Sequence, residues 1–180
     1  MLSTKRLFIA LALLFPFLGI GQGKDEELIP WSASRKLTWA DYKAKPDPQA
    51  DAAASTTTYL GIEYSMRNNG FGYKITCSFS KNRSWGLHQN DHILGHEQGH
   101  FDIAEIHARK LNKQMGQYSF NKNSYQQDLR KIYQDILKEK EAMQDLYDLE
   151  TNHSINKVRQ AEWLTKIANL LEEYKAFAGY

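Results

Sequence analysis

Two stretches of strict alternation dominate the middle of the chain. Leu60, Ile62, Tyr64 and Met66 alternate with polar or small residues, and so do Phe71, Tyr73, Ile75, Cys77 and Phe79. A period of two puts each apolar set on one face of a strand. Between them stands Arg67-Asn68-Asn69-Gly70, and Asn and Gly tolerate the positive φ angles of a tight turn. The pattern predicts a β-hairpin over residues 58–80. The preceding residues 50–57 are small and polar, and read as a loop or bulge leading into the first strand.

From about His92 to Met115 the period lengthens to that of a helix. Ile93, His96, His100, Ile103 and His107 share one face, while Leu94, Phe101, Ala104, Ala108 and Leu111 lie to one side. Gly116 is the expected stop. A polar link, Gln117 to Asn123, leads to a second amphipathic helix over about Ser124–Leu146, with Leu129, Ile132, Ile136, Met143 and Leu146 as its stripe. The stretch Asp148 to Asn156 is polar and interrupts that stripe. A last helix, about Asn156–Phe177, carries Val158, Trp163, Ile167, Leu170, Leu171 and Tyr174. Strands first and helices afterwards predict an α+β domain, with a small antiparallel sheet followed by a helical C-terminal half.

The N-terminus reads differently. Lys5 and Arg6 precede an apolar run from Leu7 to Ile20, which ends in Gly21-Gln22-Gly23. A basic start, a short apolar stretch and a small-residue exit describe a secretory signal peptide. The run is well short of the ~20 apolar residues that span a bilayer as a helix. The expected organisation is a signal peptide over 1–23 and one domain over 24–180, exported to the periplasm or secreted, with no stable membrane insertion after cleavage. Within that domain, Trp31, Leu37, Trp39 and Tyr42 are expected to pack against the body of the fold, and Lys45-Pro46-Asp47-Pro48 to form a turn. A net charge of +2 with 24% charged residues leaves no field strong enough to argue for nucleic acid as a partner. Cys77 is the only cysteine, so intrachain disulfides are excluded, and its place in a strand pattern makes it a small buried hydrophobe.

Chemistry enters at His96-Glu97-Gln98-Gly99-His100, an HExxH sequence inside the first predicted helix. Residues i and i+4 share a helix face one turn apart, so the two imidazoles can close on one metal ion, with Glu97 placed to take a proton from bound water. A catalytic zinc ion takes a third protein ligand. The candidates are His88, His92, Glu105, His107, Glu150 and His153. Neighbours in the ladder His88, His92, His96, His100 are about 6 Å apart along the axis, so His92 and His100 cannot share an ion, and His88 and His92 read as rim or capping groups. His107 sits roughly 10 Å beyond His100 on the same face, again too far. Glu105 points roughly 140–180° away from the two histidines. No glycine breaks the helix between His100 and Gly116, which removes the HExxHxxGxxH pattern. The search therefore moves to the polar break Tyr147-Asp148-Leu149-Glu150-Thr151-Asn152-His153-Ser154, where both Glu150 and His153 remain open and neutral imidazole favours His153.

The extended helix motif Leu94-Gly95-His96-Glu97-Gln98-Gly99-His100-Phe101-Asp102, the upstream Leu37-Thr38-Trp39-Ala40-Asp41-Tyr42 and Arg83-Ser84-Trp85, and the downstream Tyr147-Asp148-Leu149-Glu150-Thr151-Asn152-His153 with Gln160 and Trp163 carry a likeness. Together they resemble a family of exported bacterial proteins of unknown function, classed with zinc-dependent peptidases of the gluzincin-like HExxH clan. The likeness runs from about Leu37 to Trp163. It implies a zincin-like metallopeptidase fold, matches His96, Glu97 and His100 to the HExxH positions, and places His153 in the downstream motif. Ser154 departs from the glycine expected after that histidine.

The expected activity is hydrolysis of a peptide or protein substrate by a Zn²⁺-activated water. His96, His100 and His153 would hold the metal, with Glu97 as general base and Tyr147 as a candidate oxyanion donor. Asp102 or Glu105 would hydrogen-bond a histidine ring or brace the helix. The rival expectation is a non-catalytic exported binding or structural module that keeps a structural metal or has lost it. An intact Glu97 argues against that rival, because a structural metal has no use for a base.

Overall fold

In the computed structural model, residues 26–46, 49–50, 52–67 and 70–180 are described. The apolar run Leu7–Ile20, the expected cleavage region, Asp47 and Pro48 of the first expected turn, and Asn68 and Asn69 of the expected hairpin turn lie outside them.

The alternating stretches form β3 (Thr58–Arg67) and β4 (Gly70–Ser80), paired antiparallel from Thr58↔Phe79 to Arg67↔Gly70. A short β1 (Leu28–Pro30) pairs antiparallel with the other edge of β4, giving the order β1-β4-β3. Leu60, Ile62, Ile75, Cys77 and Phe79 are buried, as the alternation requires. A second, two-stranded sheet joins β2 (Ala54–Ser55) to β5 (Trp85–Gly86). Gly86 is needed there, because a Cβ would lie 2.5 Å from the Trp39 ring.

Three helices complete an α+β fold: α1 (Asp91–Gln117), α2 (Tyr125–Thr151) and α3 (Lys157–Glu173). The Asn90 side chain caps α1 by accepting from the Ile93 N–H at 3.0 Å. From Phe101 to Arg109 every residue of α1 is buried. The helix is sandwiched: Phe101, Ala104, Ala108, Leu111 and Met115 pack with the sheet residues, while Ile103 and Ile106 join Tyr147, Trp163 and Ile167 in a second cluster. The segment before β2 is tied to α1, as expected of Trp31 and Leu37. Trp31 Nε1 donates to Asp102 Oδ1 at 2.7 Å, and the Leu37 N–H donates to Gln98 Oε1 at 2.8 Å. Among the described residues no helix is long and apolar enough to cross a membrane.

Three boundaries differ from the sequence reading, and one of them is that α3 ends at Glu173 and not near Phe177. Gly116 does not stop α1, which runs one residue further, to Gln117. The largest difference is in α2, which continues through Tyr147-Asp148-Leu149-Glu150-Thr151 instead of ending near Leu146. The stretch is polar because its side chains are engaged. Asp148 meets two histidines of α1, Glu150 accepts from Trp163 Nε1 at 2.8 Å, and the Thr151 hydroxyl donates back to the Tyr147 carbonyl at 2.7 Å. The chain reverses only at Asn152, His153 and Ser154, whose φ values are 49°, 50° and 73°.

Candidate metal centre

Helix α1 places His96 and His100 on one face with their rings 4.8 Å apart and their Nε2 atoms 3.2 Å apart. Helix α2 crosses them and brings the Asp148 carboxylate between. Its Oδ1 lies 3.0 Å from His96 Nε2 and 3.1 Å from His100 Nε2. These three form the one His, Cys, Asp and Glu group among the described residues spaced to hold an ion, with all three ligand atoms within 4.8 Å of one another.

The surroundings orient the rings. His100 donates from Nδ1 to Gln144 Oε1, and Gln144 Nε2 donates to the His100 carbonyl at 3.0 Å. That pair of bonds fixes the amide's orientation and commits the His100 Nδ1 proton outward, so that Nε2 faces Asp148. The His96 ring stacks on Tyr147 at 4.5 Å and 21°. Its Nδ1 is buried and, among the described residues, has no hydrogen-bond partner. Gly99 permits this packing, because a Cβ there would lie 2.6 Å from the Tyr147 hydroxyl.

Burial pushes the His96 pKa down, and the neighbouring His100 charge adds to that against the pull of Asp148. Burial acts the same way on His100, but there the Asp148 bond and the charges of Asp148 and Glu97 outweigh it, and the pKa is raised. Burial would raise the Asp148 pKa, yet its bonds to His100 and His96 hold it well below the usual carboxylate range. Asp148 is therefore held ionised, and of the two histidines only His100 is biased toward the charged form.

Glu97 is 4% exposed and borders the same space. Among the described residues no group donates a hydrogen bond to its carboxylate, so an acceptor stands ready beside the histidines. The space is a cleft of about 570 Å³ between residues 52–58 on one side and α2 from Lys140 to Asp148 on the other. β2 borders it, and pairs with β5 along one edge only.

The structure places several of the expected site residues elsewhere. His153 does not complete the His96–His100 pair. Asp148 does, because α2 stays helical past Leu146 and presents it one turn after Gln144. The His153 side chain is 66% exposed at the cleft mouth, with Nδ1 3.6 Å from Asp148 Oδ1. Glu150, the alternative, is drawn away to Arg159 and Trp163. Tyr147, the expected oxyanion donor, has its hydroxyl turned to α1 and away from the cleft lining. It is fully buried, and its hydroxyl donates to the His96 carbonyl at 3.3 Å.

The exclusions on α1 agree with the geometry. His107 is buried and donates to the Ile103 carbonyl at 2.8 Å, while Glu105 bonds Arg109 and Tyr180. His92 is a tether, donating from Nε2 to the Ser154 carbonyl at 2.7 Å. Asp102 and Glu105 brace α1 without touching a histidine ring of the site. Gln144 is the residue that holds one, and the sequence reading did not single it out. The spacing Gln144-x-x-x-Asp148, continued through Tyr147 and Thr151 at helical period, is the signal that could have found both residues.

Residues 19–154 match the family described as "Bacterial protein of unknown function (DUF922)". The chain belongs to that family. The match covers β1 to β5, α1, α2 and the turn after it, so the whole candidate centre of this DUF922 protein lies inside the shared region. We found no match among curated proteins and none among solved structures.

Proposed function

We propose that this DUF922 protein is an exported, zinc-dependent hydrolase of peptide or amide bonds, with a zincin-like arrangement whose third ligand is the Asp148 carboxylate. One observation carries the reading: His96 Nε2, His100 Nε2 and Asp148 Oδ1 converge at 3.0–3.2 Å beside a buried Glu97 that no described group pairs.

The donor set fits zinc. Two atoms bound to one zinc ion at 2.0–2.1 Å with a near-tetrahedral angle lie roughly 3.3 Å apart, so the spacing needs adjustments of only tenths of an ångström. Two imidazoles and one carboxylate are also the open three-ligand set that leaves a position for water. When bound, zinc supplies a water acidified toward neutral pH and a polarised carbonyl.

The chain's own groups do the rest. Glu97 takes the proton from water at its carboxylate and passes it to the departing amine, which is why an unpaired acceptor is useful there. Gln144 keeps the His100 proton on Nδ1, leaving Nε2 as the ligand. The β2 edge along the cleft suits an extended peptide, whose backbone could pair with it.

The test is metal analysis of the purified chain alongside cleavage of a broad peptide library. Near-stoichiometric zinc is expected in the native protein. Glu97→Gln should keep the zinc and lose cleavage by 10²-fold or more, the low end of general-base effects. Zinc without Glu97-dependent cleavage would instead identify a structural metal.

A further inference from the structure

Lys140 stands in an unusual place for a lysine. It is 8% exposed and lines the cleft, and among the described cleft residues it is the only lysine or arginine. An ammonium group is seldom buried without a partner, because desolvating it is costly. The partner here is weak. Lys140 Nζ lies 2.8 Å from Glu141 Oε1, but Glu141 is adjacent in sequence and its side chain is 63% exposed, so that carboxylate is largely solvated. No other described group accepts a hydrogen bond from Lys140, although an ammonium carries three donors. Of the acidic residues of this wall, Glu141 and Asp145 are exposed and Asp148 is half-buried against His96 and His100, whereas Lys140 lies deep.

Its register relates it to the candidate metal centre. Lys140, Gln144 and Asp148 follow one another at i, i+4 and i+8 on α2, within an arc of about 80°. Eight residues of helix advance about 12 Å, the length of three to four residues of extended peptide.

From this placement we infer that Lys140 is a subsite for a carboxylate of the substrate, held about three to four residues from the bond that is cut. The inference deepens the hydrolase reading, since it takes this cleft to be the substrate site. A carboxylate there would replace the solvated Glu141 contact with a charge-assisted bond in a largely desolvated place. Two sources share that chemistry: an internal Glu or Asp side chain, and a chain-terminal carboxylate.

Binding to the metal-free full chain tests this without relying on turnover. Fluorescently labelled Ala-rich hexapeptides would be compared by polarisation after chelator treatment: one with an internal Glu and an amidated end, one with Gln and an amidated end, and one with Gln and a free C-terminal carboxylate. At least one carboxylate peptide should bind about tenfold or more tighter than the Gln amide, the size of a charged hydrogen bond. Whichever peptide gains identifies the source. Lys140→Met keeps the apolar stem and should abolish the preference, while Lys140→Arg should preserve it in part. Equal binding of all three peptides, no binding at millimolar concentration, or a preference that survives Lys140→Met would each overturn the inference. If Lys140→Met fails to fold, the same comparison with Lys140→Gln decides it. Loss of the hydrolase reading would show separately, as peptides left uncut by the zinc-loaded chain.

Discussion

Gly99→Ala probes whether the centre is built on the close approach of Tyr147 to α1. On an ordinary helix the change stabilises by about 1 kcal/mol, because alanine has the higher helix propensity. Here the new Cβ would meet Tyr147 Oη at 2.6 Å, Cζ at 2.9 Å and Cε1 at 3.0 Å. The ring has little room to retreat. It is fully buried, with the His96 ring stacked at 4.5 Å and the Trp163 ring centred 5.4 Å away. Overpacking of this kind costs typically 1–3 kcal/mol, so after the propensity gain the net expectation is a loss of up to about 2 kcal/mol and a Tm lower by up to roughly 6 °C. Thermal and urea denaturation of the metal-free chain measure it directly. Because Tyr147 stacks on His96, zinc affinity should fall in parallel. The decisive arm is a double-mutant cycle with Tyr147→Phe, which removes the nearest atom. Gly99→Ala should cost at least about 0.5 kcal/mol less in that background. A more stable Gly99→Ala protein, or a cycle with no coupling, would refute the packing argument.

The other predictions concern the ligands, one buried histidine and one strained backbone position. Asp148→Asn should abolish stoichiometric zinc and Gln144→Ala should weaken it about 10–100-fold, while His153→Ala keeps it; competition with a chromogenic chelator reads all three, and zinc lost from His153→Ala with zinc kept in Asp148→Asn would return the third position to His153. Burial holds the His107 pKa down at about 4, against about 6.5 unfolded. The unfolded chain therefore binds the extra proton between those values, and stability is lost as pH falls from about 6.5 to about 4, by as much as about 3 kcal/mol. Urea titrations at pH 7 and 4.5 should show that loss reduced in His107→Leu, and an unchanged loss would remove His107 as a cause. Ser154 has φ 73°, a left-handed conformation that costs a side-chain-bearing residue about 1–2 kcal/mol. Ser154→Gly should stabilise by about 0.5–1 kcal/mol and Ser154→Ala should not, so a glycine variant less stable than the wild type would contradict the strain.

The parts of the fold governed by local periodicity were legible. Alternation on β3 and β4 and the helical period of α1 survive because one face of each element is buried, and burial is what writes the pattern. The shortest strands were not legible. β2 and β5 have two residues each, too few for any period, and their pairing is set by contacts such as that of Trp39 with Gly86.

The candidate centre was half legible for a related reason. His96 and His100 are ligand types at helical spacing inside an uninterrupted pattern, so elementary geometry brings them together. Asp148 was hidden because a helix that lines a polar site loses its amphipathic contrast. Its last turns carry Gln144, Asp148 and Glu150 inward, toward His100, His96 and Trp163. A reading that equates polar with exposed ends such a helix too early and then looks beyond it, at His153. What ends α2 is a run of three left-handed residues, and that run is held by contacts distant in sequence. His92 grips the Ser154 carbonyl, and Gln160 donates to the His92 carbonyl at 2.9 Å. The true boundary thus depends on α1 and α3 together, which no window of α2 alone contains.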